Sequence, residues 1–137
     1  MTNSTIVLIG CGKTKAAQPC EAWQMYKGQL FTKSLAYARM LTDDANIFVL
    51  SAKHHLLPLR ARIEPYDETL NDFNNMQRKW WASAVRQHLF NLYPPALTEP
   101  NVDPVHHTVI FLCGRNYWEH LAASLLPSWT VETPLSD

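Results

Sequence analysis

Three cationic side chains follow three short apolar segments of this chain. Lys13 comes after IVLI and GCG, Lys53 after IFVL and SA, and Arg115 after VIFL and CG. Lysine and arginine bind phosphate and carboxylate groups, and small residues let the backbone come close to such an anion. If the three segments are neighbouring parallel strands, the cations meet at one edge of the sheet and form an anion pocket. The alternative is that each cation leaves its strand for solvent.

The glycine-rich turn GCGKTK, residues 10–15, fits neither of two common phosphate-binding motifs. A P-loop requires a glycine where Val7 stands, so the turn is too short to wrap a phosphate. A dinucleotide-binding fingerprint requires a third glycine where Lys15 stands. We interpret the turn as a strand end that binds phosphate or substrate. Its candidate residues are Gly10, Cys11, Gly12, Lys13 and Lys15.

A second segment rich in titratable groups joins the middle apolar run to the longest predicted helix. It contains SAKHHLLP, residues 51–58, and IEPYDETL, residues 63–70. Long irregular connections in small domains are usually functional or disordered, and the apolar residues of this segment argue against disorder. Glu68 suits the positive end of the helix dipole, whereas Asp67 is a better candidate for a general base or a ligand of a sugar hydroxyl.

The histidines and cysteines do not predict a metal site. Adjacent histidines, as at 54–55 and 106–107, point in different directions, and no C-x-x-C or H-x-x-x-H spacing accompanies them. Cys11 and Cys113 are interpreted as small buried residues at strand ends rather than as reactive thiols. We therefore expect no metal and no cofactor.

The composition predicts one domain over residues 1–137. The 12 Lys+Arg balance the 12 Asp+Glu, so no global field draws the protein onto nucleic acid or an anionic membrane, and any anion site must be local. No apolar run approaches the roughly 18 residues of a membrane span, and the N-terminus lacks a signal-peptide pattern. We expect a cytoplasmic protein with free thiols and no membrane partner.

Apolar runs and helical periods alternate along the chain. The three apolar runs predict strands buried on both faces, and residues 129–132 predict a last strand. Helical patterns cover 28–42, 71–93 and 117–126, and the polar stretch 96–107 predicts an exposed connection. The alternation predicts an α/β fold of three layers, with a mostly parallel central sheet of about four strands flanked by helices.

The longest predicted helix, over 71–93, begins at a cap formed by Asn71 or Asp72. One stripe of this helix is predicted to face the core. Its members are Phe73, Met76, Trp80 and Ala84. The two adjacent tryptophans and the phenylalanine are interpreted as packing residues rather than as platforms on which bases stack.

Several motifs together resemble a family of small bacterial and phage domains of unknown function, which in turn resembles the YaaA-type peroxide-stress proteins. The motifs are GCGKTK (10–15), YKGQLF (26–31), LSAK with LLP (50–58), IEPYDETL (63–70) and GRNY (114–117). Members of the family usually carry Tyr-Gly after the lysine, where this chain has His54-His55. A glycine that permits positive φ is thus replaced, and we expect a change in the turn or the pocket beside it.

The resemblance and the residues together suggest an enzyme acting on a nucleotide, nucleoside or nucleic-acid base, which cleaves or exchanges an N-glycosidic bond. Asp67, Tyr66 and Ser51 are the catalytic candidates. Further candidates to bind phosphate or substrate are Tyr26, Lys53, His54, Arg115, Asn116 and Tyr117. The alternatives are a DNA- or RNA-binding module without chemistry, and a stress- or phage-related protein that contacts another protein.

Overall fold

A computed structural model describes residues 3–95 and 105–135. The described strands are β1 (Thr5–Gly10), β2 (Cys20–Glu21), β3 (Ile47–Ser51), β4 (His55–Pro58), β5 (Arg62–Ile63), β6 (Thr108–Leu112) and β7 (Thr130–Glu132). The described helices are α1 (Ala22–Met25), α2 (Gln29–Leu41), α3 (Asn75–Leu92) and α4 (Arg115–Ser124). Most of the connection predicted over 96–107, namely 96–104, lies outside the described residues.

The central sheet has five strands in the order β4-β3-β1-β6-β7. All neighbouring pairs are parallel except β3 and β4, which are antiparallel. The predicted three-layer α/β fold is confirmed, and β7 forms where a last strand was expected. The predicted count of about four strands omitted β4. This strand pairs antiparallel with β3 directly after a tight turn, so no helical segment between the two strands marks it in the sequence.

Each central strand is buried on both faces because helices cover both sides of the sheet. Along β1, Ile6 and Leu8 face a core shared with α3 and α4. Val7 and Ile9 face a second core shared with α1 and α2. This two-sided burial explains why the strand is a continuous apolar run rather than an alternating one.

The cap of the longest helix lies two to three residues after the predicted one. Residues Leu70–Asp72 form a short 3-10 helix, and Asn74 caps α3. The Asn74 side chain accepts a hydrogen bond from the Gln77 amide at 2.8 Å, and the Gln77 side chain accepts one from the Asn74 amide at 2.8 Å. This reciprocal capping box satisfies amide groups that an earlier start would leave unpaired. None of the described helices is both long and apolar enough to cross a membrane.

The predicted inner stripe of α3 was wrong for two of its members. Met76 is 71% exposed and Trp80 is 78% exposed. The next residue, Trp81, is buried, and its indole N–H donates a hydrogen bond to the Ser51 carbonyl oxygen at 2.8 Å. That hydrogen bond favours burial of Trp81 over Trp80, and it cannot be predicted from the periodicity of the sequence.

The turn between β3 and β4 keeps a backbone conformation that favours glycine. His55 has a φ of 65°, in the left-handed region. His55 stands where the resemblance described above leads us to expect a glycine, and it adopts the conformation that a glycine would adopt. The expected difference lies in the added imidazole, not in a changed backbone φ.

We expect Gly10→Ala to destabilise the protein by about 1–3 kcal/mol, because overpacking a filled site forces neighbours to shift. A Cβ at this position would lie 2.8 Å from Cys113 Cβ and 3.4 Å from Cys113 Cα. Gly12→Ala is the matched control, since a Cβ there meets no atom within 4 Å. Urea unfolding measures both free energies. Equal values for the two variants would contradict the close approach of β1 and the end of β6.

At position 55 we expect His55→Gly to be more stable than His55→Ala by about 1 kcal/mol, since only glycine adopts positive φ without a steric cost. Both variants lack the imidazole, so their difference isolates the backbone. At the neighbouring His54, whose φ is not positive, the order should reverse, because glycine gains only unfolded-state entropy. Thermal or urea unfolding of the four variants measures these differences. If His55→Ala were more stable than His55→Gly, the positive φ at position 55 would carry no steric cost.

Candidate functional site

The order of the strands reverses direction at β1, which places a crevice at the carboxyl ends of β1 and β6. From β1 the chain adds β3 on one side and later adds β6 and β7 on the other. In open parallel sheets, ligands bind outside the carboxyl ends of the strands at such a switch point. The residues just after β1 and β6 are therefore the first candidates to contact a ligand.

A pocket of about 330 Å³ occupies this crevice, and we call it the glycine pocket. Its lining includes Gly10, Gly12, Lys13, Gly28 and Gly114. Gly28 and Gly114 are the N-caps of α2 and α4, and neither has a side chain to accept a hydrogen bond from the first amides of its helix. Helix N-termini carry partial positive charge, and Lys13 adds a full one, so the pocket favours an anion.

A second pocket, of about 390 Å³, adjoins the first, and we call it the carboxylate pocket. Both pockets are lined by Cys11, Gly12, Lys13 and Tyr117. The carboxylate pocket adds one ammonium, three carboxylates and two neutral polar side chains. They belong to Lys15, Asp67, Glu68, Asp72, Thr69 and Asn71. Carboxylates accept hydrogen bonds from hydroxyl groups, so this pocket suits a polyol such as a sugar.

The Tyr117 hydroxyl lies at the junction of the two pockets. It is within 3.3 Å of Cys11 Sγ and 3.4 Å of Thr69 Oγ1, and the Leu70 amide donates to it at 3.5 Å. Burial, together with the neighbouring Cys11, raises the pKa of Tyr117 to about 12. The hydroxyl therefore keeps its proton at neutral pH and is a hydrogen-bond donor toward either pocket.

A chain of buried hydroxyl groups lies beside the pockets and joins three separate parts of the molecule. The Ser51 hydroxyl donates to the Tyr66 hydroxyl at 2.9 Å and accepts from the His54 amide at 3.0 Å. The Tyr66 and Tyr26 hydroxyls are 2.5 Å apart. Burial is the largest of the effects that raise the pKa of both tyrosines. Both hydroxyls thus stay protonated over the physiological range.

The chain of hydroxyl groups positions other side chains and does not line either pocket. Ser51 is 0% exposed, so its hydroxyl reaches Tyr66 and not a ligand. The Lys15 ammonium lies 4.8 Å from the centre of the Tyr66 ring, which adds a cation–π contact. Because Asp67 directly follows Tyr66, the hydroxyl chain anchors the backbone next to Asp67.

The three strand-end cations follow neighbouring parallel strands, but they line different surfaces. Lys13 lines both pockets, whereas Lys53 lines a separate groove against α3. Arg115 is largely exposed, lies 3.7 Å from Glu119 and stacks over Trp118. In the two pockets, Lys15 rather than Lys53 or Arg115 joins Lys13.

The remaining candidates, Asn116 and His54, line neither pocket. Asn116 donates a hydrogen bond to the Asn71 side chain at 2.9 Å, which ties α4 to the segment before α3. The His54 ring meets the Tyr66 ring edge to face at 5.3 Å, and its Nε2 atom is buried with no hydrogen-bond partner among the described residues. Burial, followed by the nearby Lys53, lowers the pKa of His54, so a neutral imidazole is favoured there.

The two histidine pairs lie at opposite ends of the parallel strands. His107 precedes β6, and its Nδ1 accepts a hydrogen bond from the Ser4 amide at 3.0 Å, whereas His54 follows β3. Within residues 3–95 and 105–135, no group of three or more His, Cys, Asp or Glu is placed to hold a metal ion.

Sequence reasoning missed several residues that line the pockets. Gly28 and Gly114 were not singled out as helix caps, although a glycine directly before a helical pattern is a recognised N-cap signal. Thr69, Asn71 and Asp72 approach the end of β1 only through tertiary contacts, and no local pattern marks them.

A model of one protein family, described as a family of unknown function (DUF6884), matches residues 6–137 of the chain. No curated protein and no solved structure matches the chain. The matched range contains every residue that lines the glycine and carboxylate pockets.

Tyr66→Phe is expected to lower the free energy of unfolding by about 1–3 kcal/mol, because Ser51 and Tyr26 each lose a buried partner. The pH dependence should change as well. Above the ordinary tyrosine pKa of 10.0, the unfolded chain releases protons that buried Tyr66 and Tyr26 retain, so stability falls as pH rises. Losing one of these groups should make that fall shallower.

Urea unfolding from neutral pH to about pH 11 measures both effects. Tyr37→Phe is the control, since Tyr37 is 47% exposed on α2. If Tyr66→Phe and Tyr37→Phe gave the same stability and the same alkaline slope, the buried hydroxyl chain would contribute nothing to the fold.

Proposed function

This chain belongs to the family of unknown function DUF6884, and we propose that it cleaves or exchanges the N-glycosidic bond of a nucleotide, nucleoside or nucleic-acid base. One observation carries the proposal. A pocket suited to an anion and a pocket suited to a sugar share Cys11, Gly12, Lys13 and Tyr117. Each pocket is above the roughly 300 Å³ at which ligand sites begin. A phosphorylated sugar would occupy both.

The phosphate would lie in the glycine pocket. The amides of Gln29 and Leu30 at the start of α2 and the Lys13 ammonium would supply donors there, and the absence of a side chain at Gly28 and Gly114 leaves room for the anion. Two helix N-termini and a lysine replace the longer loop of a P-loop, which this chain lacks.

The sugar and the reacting bond would lie in the carboxylate pocket, where Asp67 would act as the general base. In hydrolysis, the bond between the anomeric carbon and the base nitrogen breaks, and that carbon bonds to a water oxygen. Asp67 takes the proton that the water loses, and the leaving base takes its proton from solvent. In exchange, a hydroxyl or amine replaces water, and no cofactor takes part in either case.

The other polar groups would orient the substrate. Tyr117, which keeps its proton, would donate a hydrogen bond to the sugar or the base. Lys15 and Thr69 would contact the sugar or the phosphate from the same pocket. Ser51, Tyr66 and Tyr26 would act indirectly, because their hydroxyls bind each other and anchor the backbone next to Asp67.

A second candidate function is binding without chemistry, either to DNA or RNA or to another protein. The exposure of Trp80 and Met76 on α3 favours it, since apolar side chains at that degree of exposure are typical of contact surfaces. The resemblance to YaaA-type peroxide-stress proteins, which rests on the shared motifs around Ser51 and Tyr66, fits either function.

The proposal predicts that Asp67→Asn slows base release by about 100-fold or more, because general-base catalysis contributes at least that much. The assay is mass spectrometry of free bases after incubation with nucleosides, nucleotides, NAD and short DNA and RNA. Asp43→Asn, an exposed carboxylate before β3 at the opposite edge of the sheet, is the control and should match the parent protein. Lys13→Ala should weaken nucleotide binding about tenfold or more and nucleoside binding much less, with exposed Lys33→Ala on α2 as its control.

Undiminished turnover by Asp67→Asn would remove Asp67 from the mechanism. The absence of base release from every compound, by the parent protein itself, would overturn the enzymatic proposal and leave binding as the function. Equal effects of Lys13→Ala on nucleotides and nucleosides would show that the phosphate does not lie in the glycine pocket.

A further inference from the structure

A third cavity, an open groove of about 540 Å³, lies between α3 and the residues that follow β3. We call it the tryptophan groove. The residues that matter for its chemistry are Lys53, His55, Glu68, Phe73, Met76 and Trp80. Its surface is mostly apolar and aromatic, with one ammonium and one carboxylate. Apart from Glu68, none of these side chains lines the glycine or carboxylate pocket.

The groove adjoins the proposed reaction site through one residue. Glu68 lines both the carboxylate pocket and the tryptophan groove. A ligand bound in the carboxylate pocket can therefore extend past Glu68 into the groove. Such a ligand would be longer than one nucleotide, because in the proposed function the glycine and carboxylate pockets take up a phosphate and a sugar.

The exposure of Trp80 indicates what enters the groove. Its side chain remains 78% exposed although the adjacent Trp81 is buried. An indole face stacks on the planar ring of any unpaired base. A small ligand needs most of its surface enclosed, and this groove is open, whereas a continuous strand needs only a stacking face and a cation for its phosphate. Lys53 supplies that cation.

We propose that the substrate is a single-stranded nucleic acid, with the reacting nucleotide in the glycine and carboxylate pockets and the base of the adjacent nucleotide stacked on Trp80. This inference rests on the proposed function, since it assigns the neighbour of the nucleotide that reacts. Bases of a duplex are stacked on one another, so the groove selects single strands. The formal net charge of zero is consistent with recognition by local stacking rather than by a general positive field.

Fluorescence anisotropy of a labelled single-stranded oligonucleotide of about six nucleotides tests the proposal. Trp80→Ala should raise the Kd for this strand about tenfold or more, because each stacked base contributes that much to affinity. Tyr37→Ala, which removes an exposed aromatic ring from the opposite face of the sheet, should leave the Kd unchanged. The Kd of a nucleoside monophosphate, measured by competition, should be the same for Trp80→Ala and the parent protein.

An unchanged Kd for the strand in Trp80→Ala would overturn the proposal, as would parent protein that binds duplex as tightly as single strand. Tighter binding of NAD than of the strand would overturn it too, in favour of a free dinucleotide. Failure of the proposed function gives a different result. If Trp80→Ala weakens strand binding while Asp67→Asn leaves base release unchanged, the proposal for the tryptophan groove is supported and the proposed reaction is contradicted. If the protein releases bases from mononucleotides but binds no strand, the proposed reaction is supported and the proposal for the groove is contradicted.

Discussion

The hydrogen bonds among Ser51, Tyr66 and Tyr26 fix the position of the segment between β4 and α3, which lines the candidate site. The segment between β4 and α3 has little regular structure, so it cannot hold Asp67, Glu68 and Thr69 in place by backbone ladders. Instead, Tyr66 reaches back to the end of β3 and across to the residue that follows α1. In a low-dielectric interior, such a network is favourable only when each member has its partner, and this requirement makes the position of the segment unique.

The central position of β1 is the second constraint, and it explains why the two pockets are contiguous. Parallel strands on either side deliver their small residues to one edge, and Gly10 lets the backbone after β1 lie against Cys113. That close approach leaves the turn after β1 between the N-termini of α2 and α4. The neutral overall charge of the protein therefore coexists with a glycine pocket that favours an anion, because Lys13 and helix dipoles act there locally.

Much of the fold could be predicted from the sequence, since β1, β3 and β6 are apolar runs whose two-sided burial leaves no other interpretation. The strand-end pattern also led to Cys11 and Lys13, and the family resemblance led to Tyr117; all three line both pockets. Other features depend on contacts between distant parts of the chain. The inward turn of Trp81 rather than Trp80 follows from one hydrogen bond to β3. The separation of Lys53 from Lys13 follows from the hairpin turn after β3, which no periodicity encodes.

The pairing of β1 with β6 has a consequence for how the chain folds. Thr5 lies beside Thr108 and Ile9 lies beside Leu112, so the innermost strand takes one of its two neighbours from a segment about a hundred residues later. During synthesis, β1, β3 and β4 can associate early, but one hydrogen-bonding edge of β1 stays open until β6 emerges from the ribosome. Such an edge is prone to pair with other chains. Nascent chains that stall before β6 should thus be the species that chaperones engage or that aggregate.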